Sequence, residues 1–128
     1  MEERPHVVVV SAAEGVRAQL RLTLGEDRFD VVEVPDIRSA ATAVADRVPA
    51  LVVLDGDLPD GSANGFASSL RAKPETAEVR TLLLAPRSAS GDGPAEAIDA
   101  SISMPATSFA LLRRVEELLD PTEKNDPT

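Results

Sequence analysis

The sequence has no cysteine, tryptophan or tyrosine, and only three phenylalanines, Phe29, Phe66 and Phe109, among 128 residues. Without cysteine there are no disulfide staples and no thiolate metal sites, so a hydrophobic core must supply the stability. With so few rings, neither a base-stacking platform nor an aromatic binding hot spot is offered. Lysine- and arginine-rich runs are also missing, and 22 acidic against 13 basic residues leave a formal charge of −9. That balance argues against direct nucleic-acid binding, which needs cations to neutralise successive phosphates. Long apolar runs are absent too. "VVVV" and "LVVL" are far too short to span a bilayer, and "MEERPH" has no basic region followed by an apolar one, so a cytoplasmic protein is the expectation.

What is present reads as one domain over residues 1–120 with a polar tail, 121–128, expected to be disordered. Val7 to Val10 form a β-branched run, and Ser11 is placed to cap the first helix. In that helix Val16, Leu20 and Leu24 recur at helical spacing, with Gly25 as a stop. "FDVVEV" is a second strand, and "IRSAATAVADRV" a second helix with an apolar stripe of Ile37, Ala40, Ala41 and Val44. "ALVVLD" is apolar throughout, as a central parallel strand requires, and it ends at Asp55. "GDLPDGSANG" is a loop, "FASSLRA" a short helix, "TLLLA" and "SIS" are strands, and "SFALLRRVEELL" is a last helix whose Phe109, Leu112, Val115, Leu118 and Leu119 suit core packing. Strands alternating with helices imply an α/β, doubly wound parallel sheet covered on both faces. In such sheets the cleft lies beyond the carboxyl ends of the strands, where Asp55 sits.

In these segments the chain resembles the response-regulator receiver domain. "HVVVVSAAEGVRAQL" is similar to its first strand and helix, "PALVVLDGDLPDG" to its phosphoacceptor strand, "RAKPETAEVRTLLLA" to its third helix and fourth strand, and "IDASISMP" to its fifth strand. The resemblance implies a flavodoxin-like, five-stranded sheet in the order 2-1-3-4-5. It implies signal transduction in a two-component system, with a protein partner such as a histidine kinase, and a homodimer through strand five and the last helix is a further option. In the family an aspartate ending strand three accepts a phosphoryl group beside a Mg²⁺ ion held by acids at the end of strand one. Charge neutralisation by a divalent cation and a lysine is what lets a carboxylate attack an anionic phosphoryl group.

Asp55 matches the acceptor, and the rest of the constellation is replaced. The acidic pair falls on Ser11 and Ala12, the strand-four hydroxyl on Ala85, the aromatic switch on Ser101, and the lysine on Met104. Each replacement removes a separate part of one mechanism. Glu14 or Asp57 could supply a second carboxylate, and Arg87 could supply charge or be a solvated loop arginine. Asp55 itself has a structural reading as a turn-forming residue. His6 has no ligand set around it in sequence and reads as a surface residue. Between Ala85 and Met104 the residues Ser88, Ser90, Gly91, Gly93 and Pro94 disfavour a full fourth helix, since proline inside a helix costs about 3 kcal/mol and glycine about 1 kcal/mol. That helix is expected to be shortened or missing, with a single turn at "PAEAI".

Three functions are candidates. The first is a stand-alone, non-enzymatic pseudo-receiver that binds a protein independently of phosphorylation and needs no cofactor. The second is a phosphorelay receiver modified on Asp55 with substitute Mg²⁺ ligands. The third is an enzyme resembling haloacid-dehalogenase-type phosphatases, with Asp55 as nucleophile, Asp57 as acid and base, and Asp92 and Asp99 as metal ligands. That superfamily puts its nucleophile on the first core strand, whereas two strand–helix units precede Asp55.

Overall fold

The computed structural model describes residues 4–86 and 96–119. Its elements run β1 (His6–Val10), α1 (Glu14–Leu24), β2 (Asp30–Val34), α2 (Ile37–Asp46), β3 (Leu51–Asp55), α3 (Ala63–Arg71), β4 (Arg80–Pro86), β5 (Ala100–Met104) and α4 (Ser108–Leu119). The five strands form one parallel sheet in the order β2-β1-β3-β4-β5. The expected fourth-helix interval and the tail lie largely or wholly outside the described residues, as do Arg87 and Asp92.

The central strands carry the most apolar sequence because both of their faces are covered. Val7 to Val10 and Leu51 to Leu54 are completely buried. Alternation divides them between two cores. Val8, Val10, Val52 and Leu54 meet α2 and α3 through Ala40, Val44, Phe66 and Leu70. Val7, Val9, Leu51 and Val53 meet α1 and α4 through Leu20, Leu24, Leu111, Val115 and Leu118.

Helix ends obey local chemistry, with one exception. Gly25 takes φ +76° and ends α1, as its sequence predicts. Asp36 accepts a hydrogen bond from the Ser39 amide and caps α2, and Ser62 accepts one from Gly65 and starts α3 three residues before the expected Phe66. Ser11 does not cap α1: the N-cap is Ala13, with no side-chain bond, because the Ser11 hydroxyl is drawn into the cleft.

Three further expectations are corrected. Phe109 is 73% exposed, and Leu111 takes its place in the core. Leu111, Val115 and Leu118 share a face, while two residues at about 100° each turn Phe109 away from it. Ala41 is exposed beside the buried Ala40 and Val44. His6 is buried at 8% exposure, since β1 starts one residue earlier than expected and sets the imidazole against Asp30 of β2.

Candidate functional site

β3 delivers Asp55 to the carboxyl edge of the sheet, beside β1 on one side and β4 on the other. Its carboxylate is half-buried and both oxygens are engaged within the chain. Oδ2 accepts the Ser11 hydroxyl at 2.7 Å and Oδ1 accepts the Asp57 amide at 3.2 Å. The second bond is the local Asx contact of a turn-forming aspartate; the first ties the end of β3 to the end of β1.

Ser11 is fully buried and held from three directions. Its hydroxyl oxygen also accepts the Ala13 amide at 3.1 Å, its own amide donates to the Val34 carbonyl at 3.0 Å, and its carbonyl accepts Arg17 Nη1 at 2.7 Å. Arg17 leans on Glu33, with Nε 3.9 Å from Oε1. The serine thus sits in a fixed rotamer aimed at Asp55, a short hydroxyl-to-carboxylate bond of the stronger, charge-assisted kind.

The other positions give the cleft little polarity. Ala12 is exposed and Ala85 partly buried, and neither offers a polar side-chain atom. The Met104 side chain packs into the α1–α4 core, next to a cis Met104–Pro105 peptide. Ser101 lies one strand out, level with Leu83, and its carbonyl accepts Arg114 Nη1 at 2.9 Å. Glu14 and Asp57 are exposed; only the backbone of Asp57 contacts Asp55. Among the described residues no three His, Cys, Asp or Glu side chains are grouped to hold a metal ion. Mg²⁺ wants near-octahedral oxygen ligands, usually with one or two free carboxylates. A single carboxylate already bonded to a hydroxyl and an amide does not match that donor set.

The phosphatase arrangement is not assembled. Asp99 precedes β5, level with Thr81 near the start of β4, at the opposite edge of the sheet from Asp55. Its carboxylate is taken by Arg71 at 2.6 Å, the Thr81 amide at 2.8 Å and the Thr81 hydroxyl at 3.2 Å. Arg71 also donates to the Ala77 and Val79 carbonyls, both at 2.7 Å, so the network fixes the α3–β4 connection.

Sequence reasoning missed Asp60. From the β3–α3 loop it reaches across to α2, where Oδ1 accepts the Ile37 amide at 2.9 Å and Oδ2 the Arg38 amide at 3.0 Å. The Ile37 amide bond, with that of Arg38, holds the Asp60 carboxyl below the usual range against the opposing effect of desolvation. Next to it Gly61 takes φ +155°, a backbone conformation that L side chains rarely adopt, and a Cβ there would also press on the Ile37 side-chain end, Cδ1, at 2.9 Å. Asp36 was legible as an aspartate directly before a helical stripe; Asp60, 23 positions from Ile37, carried no local signal.

No family model matches the chain. It is 28% identical over 118 residues to the phosphate regulon transcriptional regulatory protein PhoB of Rhizobium meliloti (strain 1021), covering 90% of this chain and 52% of that protein. The chain therefore spans about half the length of that relative. A putative response regulator from Chloroflexus aurantiacus J-10-fl superposes with a TM-score of 0.82 at 20% identity, over 91% of this chain and 98% of that one. The signal receiver domain of a signal transduction histidine kinase from Syntrophus aciditrophicus gives 0.80 at 18% identity, over 97% and 96%. The fold is that of response-regulator receiver domains, and the strand order and element sequence agree with it.

Proposed function

We propose that this chain is a receiver-type module of two-component signalling that acts by binding a protein partner, without catalysis and without phosphoryl transfer at Asp55. The observation that carries this reading is the engagement of the acceptor within the chain. The Ser11 hydroxyl and the Asp57 amide each bond one oxygen of Asp55, in competition with the metal and phosphorus a working acceptor would take there. Ala12, Ala85 and Met104 supply no carboxylate, hydroxyl or amine to replace what Ser11 removes. Without a cation, attack of a carboxylate on a phosphoryl dianion meets uncompensated repulsion.

Binding is the remaining output, and the surface offers a place for it. Leu22 of α1 and Phe109 of α4 are 77% and 73% exposed, and their helices are joined next to them by the Thr23–Ser108 hydroxyl bond at 2.9 Å. Exposed large apolar side chains on neighbouring elements mark an interaction surface better than scattered single ones do. A histidine kinase or another signalling protein fits the class of partner, and a cytoplasmic setting fits such a partner. Among the described residues no helix is long and apolar enough to cross a membrane.

The deciding measurement is intact mass after incubation with Mg²⁺ and acetyl phosphate, with Asp55→Ala as control. No phosphoryl mass is expected on the folded protein. A phosphoryl mass that vanishes in the control would overturn the proposal and make Asp55 a live acceptor.

A further inference from the structure

At the amino edge of the sheet, opposite Asp55, the start of β1 and the α2–β3 connection enclose an open depression of about 390 Å³ lined by Arg4, Pro5, His6, Arg47, Val48 and Pro49. Among the described residues its lining holds three basic residues and no acid, on a chain whose net charge is −9. Among the described residues each arginine makes one side-chain hydrogen bond: Arg4 donates through Nη1 to the Glu26 carbonyl, and Arg47 through Nη1 to Asp30 Oδ2 at 2.5 Å. A guanidinium carries five N–H donors, so both keep donors to offer.

His6 adds a third group of the same kind. Its Nδ1 lies 3.2 Å from the Asp30 carbonyl oxygen, which can only accept, so Nδ1 carries hydrogen. Nε2 has no partner among the described residues, where no unpaired side-chain nitrogen is sealed from solvent, and His6 is part of the lining. Asp30 stands behind, with Oδ2 3.7 Å from His6 Nδ1. Its carboxyl is held below the usual range by the Arg47 hydrogen bond first, with His6 and Arg4 adding to it through charge. Among the described residues one carboxylate thus faces two guanidiniums, an excess of positive charge that suits a phosphate ester.

We propose that this depression binds a small phosphate ester. Arginine forks suit phosphate oxygens bidentately, and the volume leaves room for an organic group against Pro5, Val48 and Pro49. With no Phe, Tyr or Trp in the lining, a compact ester such as a short phosphoalcohol fits better than a nucleotide, which would want a larger stacking face than one imidazole.

The test is an NMR titration of the full chain with glycerol 3-phosphate and, separately, inorganic phosphate, at constant ionic strength held with sodium chloride. His6 is the single histidine, so its ring signals need no assignment. Saturable shifts at His6 and Arg47, weakened about tenfold by Arg47→Gln, are expected from loss of one charged hydrogen bond. Because Arg47 also pairs with Asp30, Arg4→Gln serves as a second variant and is expected to weaken binding with an unchanged Tm. Non-saturating shifts, or binding unaltered in a folded Arg4→Gln protein, would overturn the site. Malonate binding as tightly as the phosphates would overturn the assignment to phosphate, and saturable shifts centred on Asp55 instead of His6 would place the anion at the wrong edge for this proposal.

Discussion

At the carboxyl edge of the sheet Asp36, Asp55 and Asp60 are satisfied by a hydroxyl and by backbone amides, and among the described residues no basic side chain lies within 4 Å of any of them. At the amino edge Asp30 and Asp99 instead gather Arg47, His6, Arg71 and Arg80. Doubly wound sheets place their ligand chemistry at the carboxyl edge. Here that edge has turned its acids to local folding work, and paired charge has collected at the other. The difference teaches that a residue's place in the fold and its bonding are separate pieces of information: Asp55 stands at the end of β3 where the receiver fold puts its acceptor, and it carries the hydroxyl and amide bonds of a turn-forming aspartate.

The contrast can be broken most directly by truncating one acid at each edge. Asp99→Ala strips Arg71 of its counter-charge and leaves the Thr81 amide short of a partner, so a loss of about 2–3 kcal/mol in urea unfolding is expected for these charged hydrogen bonds. Asp55→Ala removes one hydroxyl bond and one amide bond at a half-exposed site, and about 1–2 kcal/mol is expected. If the two losses came out reversed, the cleft rather than the amino edge would be the better-knit end.

A sharper version restores the missing charge. Ser11→Asp sets a second carboxylate against Asp55, and like charges in one site repel. A loss of about 2 kcal/mol without metal is expected, because the new carboxylate enters a fully buried position, and it should be recovered on adding Mg²⁺. The unmodified protein should show no Mg²⁺ dependence of its melting temperature. A rise in that temperature with Mg²⁺ in the unmodified chain would mean that Glu14 or Asp57 does reach the cleft.

Acid titration separates the edges next. The Asp30 and Asp60 carboxyls both sit below the ordinary aspartate value of 3.8, by ion pairing in the first and by backbone amides in the second. A depressed folded value stabilises the protein above the unfolded value, and that stability is lost as pH falls through the folded one. Melting curves collected downward from about pH 5 should therefore fall, less steeply in Asp60→Asn and in Asp30→Asn. Added salt should flatten the Asp30 contribution more, because ion pairs at a surface are screened.

The smallest stability effect is expected at the candidate partner surface. Phe109→Ser and Leu22→Ser should stay within about 0.5 kcal/mol of the parent, as exposed substitutions do, while abolishing capture of a protein partner. A loss of several kcal/mol in Phe109→Ser would return that ring to the core, where periodicity alone had put it.

Much of the fold was legible because its strongest signals are local. The apolar runs Val7–Val10 of β1 and Leu51–Leu54 of β3 point to central strands, and the bounds of α4 agree with the sequence reading at both ends. The site was legible by position and not by bonding. Ser11 and Asp55 are 44 residues apart, so a serine that reads as a helix cap in sequence finds a carboxylate only after the sheet has formed. His6 was misjudged for a related reason: exposure at a strand start depends on which strand lies beside it, and Asp30 of β2 covers this one. Phe109 shows the converse, a large apolar residue that helical phase leaves outside.

The bonds of Asp55 and Asp60 have a consequence for how this chain can change length. The five-residue step between them is pinned at its start to the end of β1 and at its finish to the first amides of α2. Surface loops ordinarily tolerate insertions because their middles are free. This one has a fixed span between two anchors, so a single added residue would force the chain to release either the serine or the helix end. Among the connections at that edge, the one following β3 should be the least permissive to insertion, and a library of one-residue insertions scored for folded protein would trace both anchors as a gap.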